Sequence, residues 1–307
     1  MAVTSNKQGA AMQLCMALPE NFRRQDFLAF HRRDADQLSE HVTEDSLLKG
    51  VVWQGQPACL SLFFTERNVS VTLDADTAWS ADGQRTLEAW VGHMLGLTQP
   101  VAHFEQRFAA DPVVGSLLQR QAGLRVPQSA SAFEAVAWAI IGQQISVSVA
   151  IAVRRKLIQH ASLLHASGLY CHPDAQTVAG MDEEQLKALG FSRSKAVALL
   201  GVARNEELVA LLAQPVATAE QAEAVSSRLL AVKGIGPWTV SYALLRGFGW
   251  LDGSLHGDVA VRRNLQQLLQ RPEKLSDKET AEWLRAFSPW RALMAAHLWA
   301  QQSSAGY

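Results

Sequence analysis

Cysteine is scarce in this chain of 307 residues: Cys15, Cys59 and Cys171 are odd in number and far apart. Their spacing offers neither a disulfide framework nor a cysteine metal site, and it fits a reducing cytoplasm. Long apolar runs are missing too, and none approaches the length of a membrane span. The stretch Met12–Pro19 is too short, and too weakly flanked by basic residues, for a signal peptide. An excess of one charge is also absent, the net value being −1. Residues 1–100 carry 8 basic and 12 acidic side chains, and residues 101–307 carry 20 basic and 17 acidic. So slight a basic excess does not advertise nucleic-acid binding. Any such contact must rest on local placement and on backbone N–H groups.

What is present is a globular composition, 48% hydrophobic and 19% charged, on a chain long enough for two domains. Residues 1–11 are small and polar and read as a loose tail. From Met12 to Leu73 strand signals dominate: SLLKGVVWQ, ACLSLFFTE and NVSVTLDAD are short, rich in Val, Leu and Phe, and broken by Gly, Pro and Asn. The run His31-Arg32-Arg33-Asp34 lacks the spacing of a kinase catalytic loop and reads as a solvated turn or helix end. Helical spacing returns over Leu87–Leu95, and Thr98-Gln99-Pro100 marks a boundary. These signals predict a small antiparallel-sheet domain over 12–100, with one or two helices and no chemistry of its own.

Beyond Val101 almost everything has helical periodicity. The predicted helices are 101–109, 112–121, 131–141, 147–160, 182–189, 193–213, 217–231, 237–247, 259–269, 277–286 and 289–302. Ser288 reads as an N-cap with Pro289 at the first helical position. Gly190 closes the first helix of a helix–turn–helix over 186–200. In its turn, Ser192, Arg193 and Lys195 either face a phosphate or are simply solvated. The fold class is therefore α+β, a small sheet domain followed by an all-helical domain over 101–307.

One stretch of that domain, LLAVKGIGPWTVSYALLRGFGWLDGSLHGDVAVRR over 229–263, draws the rest together. Leu229 and Val232 lead in at i, i+3, while Val240, Ala243 and Leu244 lead out at i, i+3, i+4. Gly234 and Gly236 around Ile235 suit a tight turn, and Pro237 suits the first position of the second helix. A helix–hairpin–helix results, with free N–H groups at the second helix's start that form an anion site. Twenty residues beyond Trp238 stands Asp258, in a Gly/His turn before another apolar helix. One use of Asp there is as a helix cap, and a carboxylate at a helix N-terminus is stabilised by the dipole.

This stretch, with FEAVAWAIIGQQISV before it and SPWRALMAAHLW after it, resembles the helix–hairpin–helix DNA glycosylases, and within them the bacterial alkylated-base enzymes. The pieces lie in the family's order across most of 101–307. The resemblance implies excision of alkylated bases of the 3-methyladenine and 7-methylguanine type from double-stranded DNA, leaving an abasic site. It implies Asp258 as the catalytic acid, which stabilises the positive charge that builds on deoxyribose. Trp238, Tyr242 and Trp299 match the family's aromatic pocket. Gly234, Ile235, Gly236 and Thr239 match its DNA-binding hairpin. Gln144 matches the wedge that fills the gap left by a flipped base; a plain polar loop is the other reading.

Three departures inform the reading. Strand-cutting relatives carry Lys where Trp238 stands, which implies a monofunctional enzyme using water. No Cys follows Cys171, so the iron–sulfur cluster of some relatives is not expected, and no metal or other cofactor is. Many relatives have Pro two residues before the catalytic Asp; His256 and Gly257 here predict a looser turn. Asp252 is the rival carboxylate, mid-loop and without a helix to orient it. Trp138, Trp283, Phe287 and Trp290 read as core packing. Arg246, Arg262, Arg263 and Arg291 pair either with phosphate or with carboxylates inside the fold. The chain is expected to be a cytoplasmic monomer whose partner is damaged DNA. The alternatives are a glycosylase for oxidised or mismatched bases and a non-enzymatic DNA-binding hairpin module.

Overall fold

Five strands form one antiparallel sheet near the amino terminus of the computed structural model, which describes residues 11–76 and 81–301. The tail read at 1–11 thus lies, except for residue 11, outside the described residues. The strands are β1 (Met12–Ala17), β2 (Glu40–Val42), β3 (Ser46–Trp53), β4 (Gln56–Phe64) and β5 (Asn68–Asp74), in spatial order β1-β5-β4-β3-β2. The three longest coincide with the three predicted strand segments; β1 and β2 add an edge on each side. A two-residue turn joins β3 to β4, with Gln54 and Gly55 at φ 50° and 77°, the paired positive φ that matches strand twist. Alternation along β5 sends Val69, Val71 and Leu73 inward. There they meet Phe27 and Leu28 of α1 (Arg24–His31) and Leu87 and Val91 of α2 (Ala81–Met94).

The chain then becomes wholly helical: α3 (Val101–Phe108), α4 (Gly115–Arg120), α5 (Ala132–Gly142), α6 (Val147–Ala161), α7 (Ala175–Ala179), α8 (Glu183–Ala188), α9 (Arg193–Ala203), α10 (Glu206–Leu212), α11 (Ala219–Leu230), α12 (Pro237–Phe248), α13 (Val259–Leu268), α14 (Asp277–Arg285) and α15 (Arg291–Trp299). Side-chain caps set most starts, from Ser131, Ser146, Ser192, Thr218 and Ser276 among others. Three expectations need correction. The helix predicted over 193–213 is two helices, because Asn205 turns out of the first and caps the second through Leu208 N at 3.0 Å. Helix α7 was not anticipated, being a single turn capped by Asp174. Ser288 does not cap α15, which starts at Arg291; its hydroxyl donates to Asp252 Oδ2 at 3.0 Å instead.

Helices α5 and α12 cross closely enough that a Cβ on Gly247 would sit 2.9 Å from Ala132 Cα. Two cores grow on either side of this pair. Val136, Ile140, Val240 and Leu244 face one, while Ala139, Tyr242 and Leu245 face the other. Their shared end is where the candidate site lies. No described helix is long and apolar enough to cross a membrane.

The sheet is fastened to the helices by charge, against the expectation of a solvated His31–Asp34 turn. His31 and Asp34 are buried. Lys49, 1% exposed, bridges Glu40 at 2.6 Å and Glu134 of α5 at 3.0 Å. Arg154 of α6 joins the same two carboxylates at 3.4 and 2.9 Å, and His31 Nδ1 meets Glu40 at 3.0 Å. Asp34 pairs with Arg155 of α6. Burial alone would raise the Glu40 carboxyl, but Lys49 and Arg154 outweigh it and hold Glu40 well below the usual range.

Two stability predictions follow from these buried groups. Lys49→Met leaves two buried carboxylates against one guanidinium, so unfolding free energy should drop by about 3–5 kcal/mol, read as a lower urea midpoint. The second concerns acid. Burial pushes His172 down to about 4 and His297 down to about 3 from the ordinary 6.5, so both stay neutral in the fold. The unfolded chain binds these protons first, so stability is full above about pH 6.5 and is lost as pH falls toward 4, by about 3 kcal/mol per histidine. Thermal melts near pH 7.5 and near pH 4.5 should differ accordingly; equal melting temperatures would contradict it.

Candidate active site

The hairpin between α11 and α12 turns at Gly234, whose φ is 91°. That glycine rests on α9, where a Cβ would approach Ser194 Oγ at 3.1 Å and Ala198 Cβ at 3.3 Å. Both the conformation and the closeness favour glycine. Gly236 is the N-cap of α12 with no side-chain cap bond, and Pro237 occupies the first turn. The N–H groups of that turn have no carbonyl within the helix and point out of the hairpin.

Two of the hairpin residues expected at DNA turn their side chains inward. Ile235 is 8% exposed, with its side chain in the core and its N–H donating to Val232 O at 3.1 Å. Thr239 is 2% exposed, and its hydroxyl accepts from Gln143 Nε2 at 2.9 Å. Gln143 also donates to Gly234 O at 3.0 Å, so it clamps the hairpin to the loop after α5. An apolar residue inside a tight turn drops inward to cover the core, and a β-branched hydroxyl follows it when a partner amide is within reach.

Beside the hairpin opens a cavity of about 710 Å³. Trp138, Gln144, Trp238, Tyr242, Asp258 and Arg263 are among its lining residues, with Gly234 and Gly236 at its edge. Asp258 caps α13: its Oδ1 accepts from Ala260 N at 2.9 Å and Val261 N at 3.0 Å. Trp299 Nε1 donates to the same oxygen at 3.1 Å, and Trp238 Nε1 donates to Oδ2 at 2.9 Å. Four N–H groups and the start of a helix thus converge on one carboxylate, an arrangement that complements negative charge. The turn before it is tied down more firmly than His256 and Gly257 suggested. His256 Nδ1 meets Ser254 Oγ at 2.8 Å, Asp258 N donates to Leu255 O at 3.0 Å, and Leu255 is buried.

The three expected pocket aromatics divide. Trp238 and Tyr242 line the cavity with ring centroids 5.4 Å apart. Trp299 is 5% exposed and is not among the lining residues; its indole N–H binds the Asp258 carboxylate. The third wall is Trp138, which the sequence assigned to the core. Its apolar helix neighbours disguise it: α5 packs on both cores, and Trp138 sits where the two meet, half-buried.

Gln144 lies on the rim, exposed, with φ 57°. Asp252 is a brace, bound by Arg291 Nε at 2.9 Å and by Ser288. Arg246 is buried and donates to Pro127 O at 3.0 Å, and Arg262 pairs with Asp277. Of the four weighed arginines, Arg263 alone lines the cavity, a position its spacing from Asp258 did not reveal. In the other helix–turn–helix, Ser192 caps α9, Arg193 pairs with Glu183 at 3.1 Å and Lys195 donates to Ile141 O at 2.8 Å. Each of the three thus has a partner within the fold.

A hairpin on the end of an α5–α12 pair, a capped Asp at an aromatic cavity and a flanking sheet define a class. Residues 137–289 match the family described as HhH-GPD superfamily base excision DNA repair protein, and the chain is similar to that superfamily over this stretch. It is 31% identical over 188 residues, 61% of the chain, to DNA-3-methyladenine glycosylase 2 of Escherichia coli. It is 27% identical over 192 residues, again 61% of the chain, to the putative DNA-3-methyladenine glycosylase YfjP of Bacillus subtilis. The matches span 63% and 64% of those two relatives, less than two thirds of either. Among solved structures, the 3-methyladenine DNA glycosylase from Archaeoglobus fulgidus superposes with a TM-score of 0.79 at 22% identity, covering 93% of this chain and 97% of that one. This last likeness is one of fold.

The left-handed backbone at Gln144 yields a stability prediction. Glycine adopts that φ without strain, and the glutamine side chain is exposed, so Gln144→Gly should unfold within about 1 kcal/mol of the parent. A larger loss in denaturant melts would mean that the side chain holds the loop.

Proposed function

We propose that this chain is a DNA glycosylase that rotates an alkylated base out of double-stranded DNA and hydrolyses its bond to deoxyribose. The observation that carries this reading is Asp258, held by four N–H donors at the mouth of an aromatic cavity beside the uncapped start of α12. The similar proteins of E. coli and B. subtilis, named as 3-methyladenine glycosylases, support the same substrate class.

In this reading the hairpin N–H groups hold a backbone phosphate, which carries little sequence information. Gln144, on the rim, fills the space the base vacates. The flipped base enters between Trp138, Trp238 and Tyr242, at a cost of a few kcal/mol that is smaller for damaged pairs. Glycosidic cleavage builds positive charge on the sugar next to the Asp258 carboxylate, which also orients a water for attack. Trp238 offers no amine for a Schiff base, so the reaction is monofunctional and ends at an abasic site with the strand intact. One carboxylate suffices because N3- and N7-alkylated purines leave without prior protonation. Such rings stack on indole and phenol faces with about 0.5–2 kcal/mol per contact, which makes for a broad range. We read the protein as a monomer that acts in the cytoplasm.

Incubation with methylated DNA and chromatography of the released bases tests the proposal. We expect 3-methyladenine and 7-methylguanine well ahead of 8-oxoguanine; release of the oxidised base at a comparable rate would refute the substrate class. Asp258→Asn keeps shape but not charge, so excision should fall by orders of magnitude with DNA binding retained. Near-normal excision by that variant would sink the assignment. Gln144→Gly should lose excision per folded molecule if the side chain is the wedge.

A further inference from the structure

Behind the aromatic wall of the cavity lies positive charge. Arg33, just past the end of α1, places its guanidinium carbon 4.6 Å from the Trp138 ring centroid and 4.0 Å from that of Phe30. Arg33 is not among the cavity-lining residues, whereas Trp138, whose ring it covers, is. Its Nε donates to Phe30 O at 2.7 Å, its buried Nη1 has no hydrogen-bond partner, and it makes no ion pair among the described residues. A second guanidinium, Arg246, is buried 4.5 Å from the same Phe30 ring and 5.8 Å from Trp299. Burial first, and Arg33 with it, pushes Arg246 down to about 10, which leaves it cationic at neutral pH. Asp258 is the single carboxylate among the residues that line the cavity.

We propose that Arg33, a residue of the sheet domain, tunes the base range of this site through Trp138, raising release of neutral lesions relative to the cationic ones without reversing the order between them. The proposal rests on the glycosylase reading above and adds a substrate class to it. When the C1′–N bond breaks, both electrons go to the base, and water bonds to C1′ and gives up a proton. A neutral base therefore becomes negative as it departs and takes up that proton afterwards. A cationic N7- or N3-alkylpurine becomes neutral, and the proton goes to solvent. A fixed cation behind the stacking wall lowers the transition state for the first class. It opposes entry and partial retention of positive charge for the second. A base stacked on Trp138 would lie about 8 Å from the Arg33 guanidinium, allowing about 3.5 Å for the stacking gap. Half a unit of charge at that distance in a half-buried site changes a rate constant by about fivefold, and the two classes move in opposite directions. The ratio between them, the product of the two effects, should therefore move by about 25-fold.

The test uses the full chain under single-turnover conditions, on duplexes carrying one hypoxanthine (neutral) or one 7-methylguanine (cationic). For Arg33→Met and Arg33→Gln, kcat/KM for hypoxanthine relative to 7-methylguanine should fall about 25-fold. Arg33→Lys should keep most of the parental ratio. A purely structural role would scale both lesions together, so an unchanged ratio in whichever of the two neutral variants folds overturns the proposal. So does an Arg33→Lys ratio equal to that of Arg33→Met. Release of neither base by the unaltered protein would instead overturn the glycosylase reading, and this inference with it.

Discussion

A carboxylate set at the edge of an aromatic cavity loses part of its hydration, and nothing apolar around it replaces that. In this protein the replacement comes from three directions at once. Helix α13 offers Ala260 and Val261 N–H groups, α12 offers the Trp238 indole, and α15 brings the Trp299 indole from the far end of the chain. The three helices must therefore meet within hydrogen-bond distance of one side chain. The close crossing of α5 and α12 and the brace of Arg291 on Asp252 keep them there. The cap and the reactive group are one residue, so the geometry that starts α13 also aims the acid at the cavity.

The sheet domain is tied to this arrangement by ions and not by an apolar seam alone. Two carboxylates and two cations, from β2, β3, α5 and α6, neutralise one another out of contact with water. Buried pairs of this kind add little net stability, because desolvation offsets their attraction, but losing one member is costly. They resist sliding, since a shift strands a charge. Glu134 stands one turn before Trp138 on α5, and Arg154 lies on the helix that follows the Gln144 loop. The cluster thus fixes the two elements that carry the cavity wall and its rim.

Legibility in the sequence followed a physical divide. Short runs rich in Val, Leu and Phe between Gly, Pro and Asn marked β3, β4 and β5, and the 3.6-residue spacing marked most helices, because both signals belong to a local segment. The Gly-Ile-Gly-Pro hairpin and the Asp before an apolar helix were also local, so their shape was readable. Which residue of a turn faces out was not: Ile235 and Thr239 look inward because α9 and Gln143 lie beneath them. Trp138 and Trp299 exchanged roles for the same reason, as only the packing of α5, α12 and α15 decides which indole meets the cavity. The buried polar cluster of His31, Glu40 and Lys49 was invisible because each partner is distant in sequence or hidden among strand residues.

One consequence joins the ion cluster to the chemistry. His31, which touches Glu40, is the last residue of α1, with Phe30 before it and Arg33 two residues after it. Anchoring His31 therefore anchors the guanidinium that backs Trp138, and Phe30 between Arg33 and Arg246 spaces the two cations. Asp258 brings negative charge to the cavity, and Arg33 lies against the ring of its wall residue Trp138. In the proposed reaction, breaking the glycosidic bond moves electrons from the sugar toward the base. Fixed charges help such a displacement only if they cannot relax as it occurs. The ion-locked contact between sheet and helices supplies that rigidity, which gives a domain without reactive groups of its own a part in the proposed reaction.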